Sequence, residues 1–378
     1  MKRILVVAYS KMGGFGGGIF ATRAVVNSLS ELYEDVTMMF PSDDGAPDPE
    51  IRPAVRQLPV ADPVSGKVGK VWRILRRGVL HRFEQAFRAL LMRESFDCVV
   101  FHNSKACGGI LDLAKKDGCK VVTIHNNYEY DYTRDNSSWW IRPLMLPPTV
   151  RCERESVQKS DLNLVLSETD RDLLRSHYDP SGVRRIEVLG VYEYHPLPPF
   201  AGGNTNDNVF LITGNLSAMQ TVMSLRPWMK VYYPVLRSVV PDSRLIVAGK
   251  HPDESLKRIF NEACVEVIDT PPDMNAVLDL GRYYICPTSK GGGVKLRVMD
   301  GLRNGLPVLA HAISARGYEP FWNRSLFVYS DVPSFREALG RMLSADIDRA
   351  RVRALYEDEF SFEAGTKRLC ELMEIIDN

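Results

Sequence analysis

The chain has 378 residues, which is enough for two or three domains of about 150 residues each. Its 45% apolar and 25% charged residues exclude a disordered or fibrous protein, and a formal net charge of +1 argues against a general nucleic-acid binder. No apolar stretch approaches the roughly 20 residues that cross a bilayer, and no signal peptide is recognisable, so we expect a cytoplasmic protein.

Short β-branched runs alternate with helical patterns along the chain, which is typical of parallel sheets built from βαβ units. In the first half this pattern predicts strands at residues 3–9, 35–40, 96–103, 120–126, 161–167 and 185–191. It stops at residues 194–208, which have the composition of a linker. It then restarts and predicts strands at residues 209–213, 244–248, 265–269, 283–287, 307–311 and 326–329, with helices after the first five.

This repetition predicts an α/β protein with two tandem Rossmann-like, doubly wound domains that face each other across a cleft. We expect an N-terminal domain at residues 1–195, a linker at 196–208, a C-terminal domain at 209–360 and a final helix at 361–378 that packs back on the N-terminal domain. In doubly wound sheets, ligands bind beyond the carboxyl ends of the strands, so the loops after the strands are where a functional site is expected.

The sharpest local feature is the segment Ser289–Lys295, which contains three consecutive glycines and connects a predicted strand to a helix. Glycines let the backbone approach a ligand closely, and the free N–H groups of a helix start attract anions. The segment therefore predicts a phosphate-binding loop in which Lys295 adds a charge, and Asp300 could accept the hydroxyls of a ribose. A glycine-rich connection with a solvated lysine and a surface acid is the alternative.

A second glycine cluster, at residues 13–18, follows the first predicted strand. Gly16, Gly18 and Ala21 match the dinucleotide fingerprint, and Asp43 follows the next strand, so an NAD(P)-dependent enzyme is an alternative function. Six residues separate Tyr9 from Gly16, however, which is longer than the tight turn that this fingerprint requires.

Other chemistries lack their motifs in this sequence. The seven cysteines are scattered and form no Cys-x-x-Cys pair, which argues against a disulfide framework or a structural zinc site. The signatures of P-loop NTPases, serine hydrolases and zincins are also missing. No metal site is expected.

The order of several motifs resembles the GT-B glycosyltransferases of the large retaining family 4 type, especially those that build polysaccharides and lipid-linked glycans. The resemblance covers both halves of the chain, and it is most specific in the last of the stretches that carry it. These stretches are the glycine cluster at 13–18, Thr123–Asn126, Lys159–Ser167, Thr213–Ser217, Leu245–Lys250 and Gly291–Ala310.

The resemblance implies that the C-terminal domain binds a nucleotide sugar, most simply a UDP-sugar, and that the N-terminal domain binds a glycan or lipid-linked acceptor. It implies transfer with retention, without a cofactor, and a catalytic set of His125, Lys295 and Asp300, in which His125 positions the transferred sugar. The implied donor-binding residues are Asn215, Lys250, Pro271, Gly291, Gly292, Gly293, Val294, Lys295 and Asp300. The implied acceptor-binding residues are Gly16, Gly17, Gly18, His125 and Asn126.

The sequence departs from the family pattern at two places. The first of the two acids in the family's donor motif is replaced by Gly292, and only the second is kept, as Asp300. The basic pair that many members place after the Gly-Asn turn is replaced by Met219–Thr221. The loss of the first acid leaves a non-catalytic GT-B-like binding protein as a further alternative.

A basic amphipathic segment lies at residues 67–93, which contain eight Lys and Arg residues and only one acidic residue. Helices of this kind can lie on anionic membranes. Arg73, Arg76 and Arg77, together with Trp139 and Trp140, therefore predict peripheral docking on the cytoplasmic membrane face and a lipid-linked acceptor. The alternative is an ordinary surface helix with solvated arginines.

Overall fold

The computed structural model describes residues 2–14, 16–61, 68–69, 71, 84–200, 202 and 208–376. The chain divides into two compact units. Unit 1 consists of Met1–Leu197 together with Phe360–Asn378, and unit 2 consists of Pro198–Glu359. Within the described residues, none of the helices is both long enough and apolar enough to cross a membrane.

Unit 1 contains a seven-stranded parallel sheet in the order β3-β2-β1-β4-β5-β6-β7. The strands are β1 (Arg3–Ala8), β2 (Asp35–Pro41), β3 (Arg56–Val60), β4 (Cys98–His102), β5 (Lys120–His125), β6 (Leu162–Val165) and β7 (Ile186–Val188). The helices with bounds within the described residues before 197 are α1 (Gly17–Leu32), α2 (Glu84–Leu91), α3 (Leu111–Lys116), α4 (Glu129–Asn136), α5 (Arg142–Lys159) and α6 (Glu168–Tyr178), with a 3₁₀ turn at Ser104–Ala106.

The local sequence explains several of these boundaries. Helix α6 begins after Ser167, whose hydroxyl oxygen caps the helix by accepting a hydrogen bond from the Asp170 backbone N–H at 3.1 Å. Strand β3 was not predicted, because it is a partly exposed edge strand whose polar residues and Pro59 do not show the apolar run of a central strand.

Unit 2 contains a six-stranded parallel sheet in the order β10-β9-β8-β11-β12-β13. The strands are β8 (Val209–Asn215), β9 (Arg244–Lys250), β10 (Glu266–Asp269), β11 (Tyr283–Cys286), β12 (Val308–His311) and β13 (Leu326–Tyr329). The helices are α7 (Met219–Val231), α8 (Tyr233–Val239), α9 (Glu254–Glu262), α10 (Met274–Leu278), α11 (Arg297–Arg303), α12 (Val332–Ser344) and α13 (Arg349–Phe360). The predicted helix after β12 is wrong: only the 3₁₀ turn Glu319–Phe321 forms there, in a stretch that contains Pro320.

The last helix, α14 (Phe362–Glu374), packs inside unit 1 against α1 and the segment after β7. A Cβ atom at Gly365 would overlap the buried ring of Tyr192, so the absence of a side chain lets the helix backbone lie directly on that ring. The hydroxyls of Ser28 and Thr366 are 2.7 Å apart and connect α14 to α1.

Both sheets are parallel, and each is wound in two directions from its central strand, as the sequence predicts. In unit 1 the chain runs outward from β1 through β2 to β3 and then returns with β4 on the other side of β1. Unit 2 repeats this arrangement with β8, β9, β10 and β11. The predicted α/β class with two doubly wound sheets is therefore confirmed. In each unit the winding direction changes between two adjacent strands, and ligands bind at such points.

Candidate active site

The carboxyl ends of β8 and β9 form the floor of the candidate site in unit 2. Gly214 and Gly249 are register partners, and a Cβ atom at Gly249 would overlap the carbonyl oxygen of Gly214. The next pair in the register is Asn215 and Lys250, both exposed at this edge. Two side chains of the predicted donor-binding set are therefore neighbours. Pro271, also in that set, follows the adjacent strand β10 and is partly buried.

The glycine loop connects β11 to α11 and is closed by its own lysine. Gly291 and Gly293 have φ angles of 88° and 70°, a conformation that favours glycine. The ammonium group of Lys295 donates to the carbonyl oxygens of Gly291, Gly292 and Gly293 at 3.2, 2.5 and 3.2 Å. Lys295 thus makes the loop compact, and its charge lies at the loop carbonyls.

Asp300 lies in α11, at the far end of the predicted donor motif. One of its carboxylate oxygens is 3.1 Å from a guanidinium nitrogen of Arg303, and its side chain is about one-third exposed. This arrangement is compatible with a ribose-binding acid and equally with an acid paired on a helix surface. Asp300 lies in the first turn of the helix that follows the glycine loop.

Arg297 is a residue of this site that sequence reasoning missed. A Cβ atom at Gly214 would lie 2.5 Å from the guanidinium carbon of Arg297, so the arginine occupies the space that a side chain would need. The same guanidinium donates to the hydroxyl of Thr221 in the first turn of α7 and lies 3.5 Å from the Asn215 carbonyl oxygen. The one signal in the sequence that could have drawn attention to it is the replacement of the family's basic pair by Met219–Thr221 at this turn.

In unit 1, the glycine cluster leads into the start of α1. Gly16 is the N-cap of this helix and Gly17 its first residue, and among the described residues no side chain caps it. A Cβ atom at Gly18 would lie 3.2 Å from the Ser10 hydroxyl and 3.5 Å from the Asn126 amide nitrogen. The structure therefore brings the predicted residues Gly18 and Asn126 together at the carboxyl edge of the sheet.

A buried ion pair holds this glycine cluster in place. The Gly13 backbone N–H donates to a carboxylate oxygen of Asp48 at 3.0 Å, and Asp48 pairs with Arg23 of α1, also at 3.0 Å. The connection from β1 to α1 covers residues 9–16, which is a long loop rather than the tight turn of a dinucleotide site. Asp43, which would bind the ribose if the protein were an NAD(P)-dependent enzyme, forms an ion pair with Lys11.

His125 ends β5 and is completely buried. Its Nε2 atom is 3.1 Å from the Asn163 side-chain oxygen, and its Nδ1 atom has no hydrogen-bond partner among the described residues. Burial lowers the pKa of His125 to about 4, so the ring is neutral at pH 7. In this arrangement the ring can orient groups through hydrogen bonds, whereas it is unsuited to act as a cation.

A cluster of buried ionisable groups follows β4 and β5 in unit 1. The Lys105 ammonium lies 2.6 Å from a carboxylate oxygen of Glu129, whose other oxygen accepts from the Asn103 amide at 2.8 Å. Behind this pair, Glu153 accepts from the Glu129 backbone N–H at 2.6 Å and from the Tyr178 hydroxyl at 2.9 Å. Asn103 and Lys105 follow β4, which lies beside β1 where the winding direction of this sheet changes, and the Lys105 ammonium is 5.9 Å from the centre of the Tyr9 ring just after β1.

Glu153 is expected to make the stability of this protein fall as pH rises. Burial raises the pKa of Glu153 from 4.5 to about 8, so between these values the folded protein holds a proton that the unfolded chain has released. Wild-type stability should then decrease by up to about 1.4 kcal/mol per pH unit in this window. Glu153→Gln removes the ionisable group, so its stability relative to wild type should increase from pH 5 to pH 8 in urea unfolding.

The control for this variant is Glu155→Gln, on the same helix, because the Glu155 side chain is one-third exposed and pairs with Arg151. Its stability curve should run parallel to that of the wild type. A Glu153→Gln curve parallel to the wild type would contradict the expectation.

The residues predicted to contact a membrane are only partly described. Arg73, Arg76 and Arg77 lie outside the described residues. Trp139 and Trp140 precede α5 and are 78% and 67% exposed. Helix α5 leads into β6 of the parallel sheet, so its end lies near the amino ends of the strands and its start, with the two tryptophans, near the carboxyl ends.

Comparisons with known proteins identify the class to which this fold belongs. TarM superposes with a TM-score of 0.68 at 8% identity, covering 100% of this chain and 99% of that chain. HepE from Anabaena, solved in complex with UDP, gives a TM-score of 0.67 at 10% identity over 98% and 99% of the two chains. A glycosyltransferase from Rickettsia africae gives 0.67 at 12% identity over 100% and 99%. The chain has the GT-B glycosyltransferase fold.

Sequence comparisons match parts of the chain to known proteins. Residues 15–189 match the sequence model of Glycosyltransferase Family 4. An uncharacterised 44.6 kDa protein in the cps region of Klebsiella pneumoniae is 28% identical over 134 residues, which cover 33% of this chain and 34% of that protein. The predicted resemblance to GT-B glycosyltransferases of the family 4 type is thus confirmed.

Proposed function

We propose that this protein is a nucleotide-sugar-dependent hexosyltransferase that moves a sugar to a glycan or lipid-linked acceptor with retention. One observation supports this function above the others: the glycine loop after β11 lies beside β8, the strand on the other side of the point where the winding direction of unit 2 changes. Phosphorylated ligands bind at such points in doubly wound sheets. HepE, which shares this fold, was solved with UDP and with UDP and glucose, so we propose a UDP-sugar donor.

In the proposed reaction, the groups of unit 2 hold the donor. The glycine loop, including Val294 and closed by Lys295, surrounds the diphosphate, Asp300 accepts the ribose hydroxyls, and Asn215, Lys250 and Pro271 line the rest of the donor site. Backbone N–H groups and fixed cations stabilise the charge that develops on the departing diphosphate. The departing phosphate accepts the proton of the acceptor hydroxyl on the same face of the sugar, which gives retention.

The groups of unit 1 hold the acceptor. Gly16, Gly17 and Gly18 at the start of α1 supply backbone N–H groups, and Asn126 lies against Gly18. His125, the residue before Asn126, positions the transferred sugar in this proposal. Its buried Nδ1 atom is an acceptor without a partner among the described residues, which supports a hydrogen-bonding role for the ring.

The test of this function has two steps. A thermal-shift panel of UDP, GDP, dTDP, CMP, ADP, NAD and NADP should show selective stabilisation by one nucleoside diphosphate, because a ligand that binds only the folded state stabilises it. Incubation with the matching nucleotide sugars and candidate glycan acceptors should then release that diphosphate and give a product with the donor's anomeric configuration by NMR. Stabilisation by NAD or NADP alone would overturn the proposal, as would binding without turnover.

We further propose that the acceptor is lipid-linked and that Trp139 and Trp140 contact an anionic membrane. Exposed tryptophans are favoured at the membrane interface, and these two lie near the edge of the sheet where the acceptor would bind. Replacing both with serine is expected to reduce co-sedimentation with phosphatidylglycerol-containing liposomes severalfold. Val183→Ser is the control, since Val183 is 73% exposed elsewhere in unit 1. Equal co-sedimentation of the wild type and the tryptophan variant would contradict this proposal.

A further inference from the structure

We propose that Arg297 is the cation that binds the diphosphate of the donor, and that Lys295 acts through the shape of the glycine loop. This inference rests on the proposed function and assigns a residue that the family resemblance does not supply. It follows from where the charges of Lys295 and Arg297 lie.

The first step concerns Lys295. Its ammonium group is surrounded by the carbonyl oxygens of Gly291, Gly292 and Gly293, at 2.5–3.2 Å. An ammonium group has three N–H donors, and this lysine directs hydrogen bonds to three acceptors of its own loop. A phosphate at this position would have to compete with these bonds. Lys295 is therefore placed to fix the loop conformation.

The second step concerns the position of Arg297. Strands β8 and β11 are neighbours, and the winding direction of the sheet changes between them. Arg297 follows the glycine loop after β11, yet its guanidinium lies over Gly214 at the end of β8. One side chain thus connects the two strand ends that flank the ligand-binding position of a doubly wound sheet.

The third step concerns how the arginine is held. Its guanidinium donates to the hydroxyl of Thr221 and lies 3.5 Å from the Asn215 carbonyl oxygen, so both ends of the loop between β8 and α7 fix its orientation. The neighbouring Gln220 approaches the glycine loop, since a Cβ atom at Gly291 would lie 2.9 Å from its amide nitrogen. The turn that lacks the basic pair of the family therefore receives a positive charge from Arg297.

Guanidinium geometry suits this task. Arg is always charged, and its planar fork donates two parallel hydrogen bonds to phosphate oxygens. Gly214 is part of the arrangement, because any side chain there would displace the guanidinium. The ligand class is a nucleoside diphosphate, and Arg297 contacts its phosphates rather than its nucleoside.

The test compares the affinities of UDP and uridine by calorimetry in the wild type, Arg297→Gln and Gly214→Ala. Both variants should bind UDP about 10- to 100-fold more weakly, as expected for one lost charge-assisted contact, and uridine as the wild type does. Arg297→Lys should recover part of the UDP affinity. Lys295→Gln should weaken UDP and uridine by a similar factor, since it changes the shape of the loop.

Arg226→Gln is the control: Arg226 lies on α7 and pairs with Asp253, so UDP affinity should be unchanged. Circular dichroism and the melting temperature identify a variant that fails to fold, and Arg297→Lys then provides the decisive comparison with the wild type. UDP affinity of Arg297→Gln within threefold of the wild type would overturn the inference. Absence of nucleoside diphosphate binding in the wild type would overturn the proposed function itself.

Discussion

Replacing Lys105 with methionine is expected to destabilise the protein by about 3–5 kcal/mol, because it leaves the carboxylate of Glu129 buried without a cation. The side chains of Lys105 and Glu129 are only 10% and 1% exposed, and their charged atoms are 2.6 Å apart. Burial alone would lower the pKa of Lys105, but the attraction of Glu129 outweighs it and the pKa is raised, so the lysine is charged at pH 7. Urea unfolding at pH 7 measures the loss.

Two further variants separate the buried charge from other effects of the substitution. The double variant Lys105→Met with Glu129→Gln removes both charges and should recover a large part of the stability. Lys115 and Asp161 form an ion pair with the same 2.6 Å distance, but both side chains are about one-third exposed. Lys115→Met, which breaks this pair, should therefore cost less than about 1 kcal/mol of stability. Equal losses for the two single variants would refute the role of burial.

The second large effect is expected for Gly249→Ala, which should cost about 3 kcal/mol or more. The added methyl group would overlap the carbonyl oxygen of Gly214 and lie 2.7 Å from its carbonyl carbon, and a backbone atom cannot move aside as a flexible side chain can. Strands β8 and β9 would have to separate where Asn215 and Lys250 meet. Nucleoside diphosphate binding should be lost together with stability.

The matched control for this substitution is Gly340→Ala in α12. No atom lies within 4 Å of a Cβ placed at Gly340, and alanine has a higher helix propensity than glycine. This variant should be more stable than the wild type by about 0.5–1 kcal/mol. A Gly249→Ala protein with the wild-type urea midpoint would contradict the close approach of the two strands.

The sequence predicted the parts of the fold that depend on local pattern. Central strands such as β1 and β4 are continuous apolar runs because both of their faces are buried, and they were predicted close to their positions. The edge strand β3 has no such run and was missed. The short 3₁₀ turn after β12 also depends on packing against its neighbours rather than on a periodic pattern.

The candidate site was predictable only as far as its loops. The glycine loop and the residues beside it could be found because glycine and strand-end positions carry a local signal. The role proposed for Arg297 depends on its approach to Gly214, which lies 83 positions earlier in the sequence (297 − 214 = 83), and nothing in the local pattern of α11 indicates that contact. The complete burial of His125 is likewise a tertiary property that a strand-end histidine does not reveal.

The docking of α14 inside unit 1 has a consequence for the order in which the protein is made. Unit 2 is continuous in sequence, so its strands and helices are all synthesised before α14, the last element of unit 1. Until then, the ring of Tyr192 and the face of α1 around Ser28 lack the helix that covers them. The unit whose chain begins first is therefore the last to be completed, and its nascent form presents an uncovered apolar surface while unit 2 is being made.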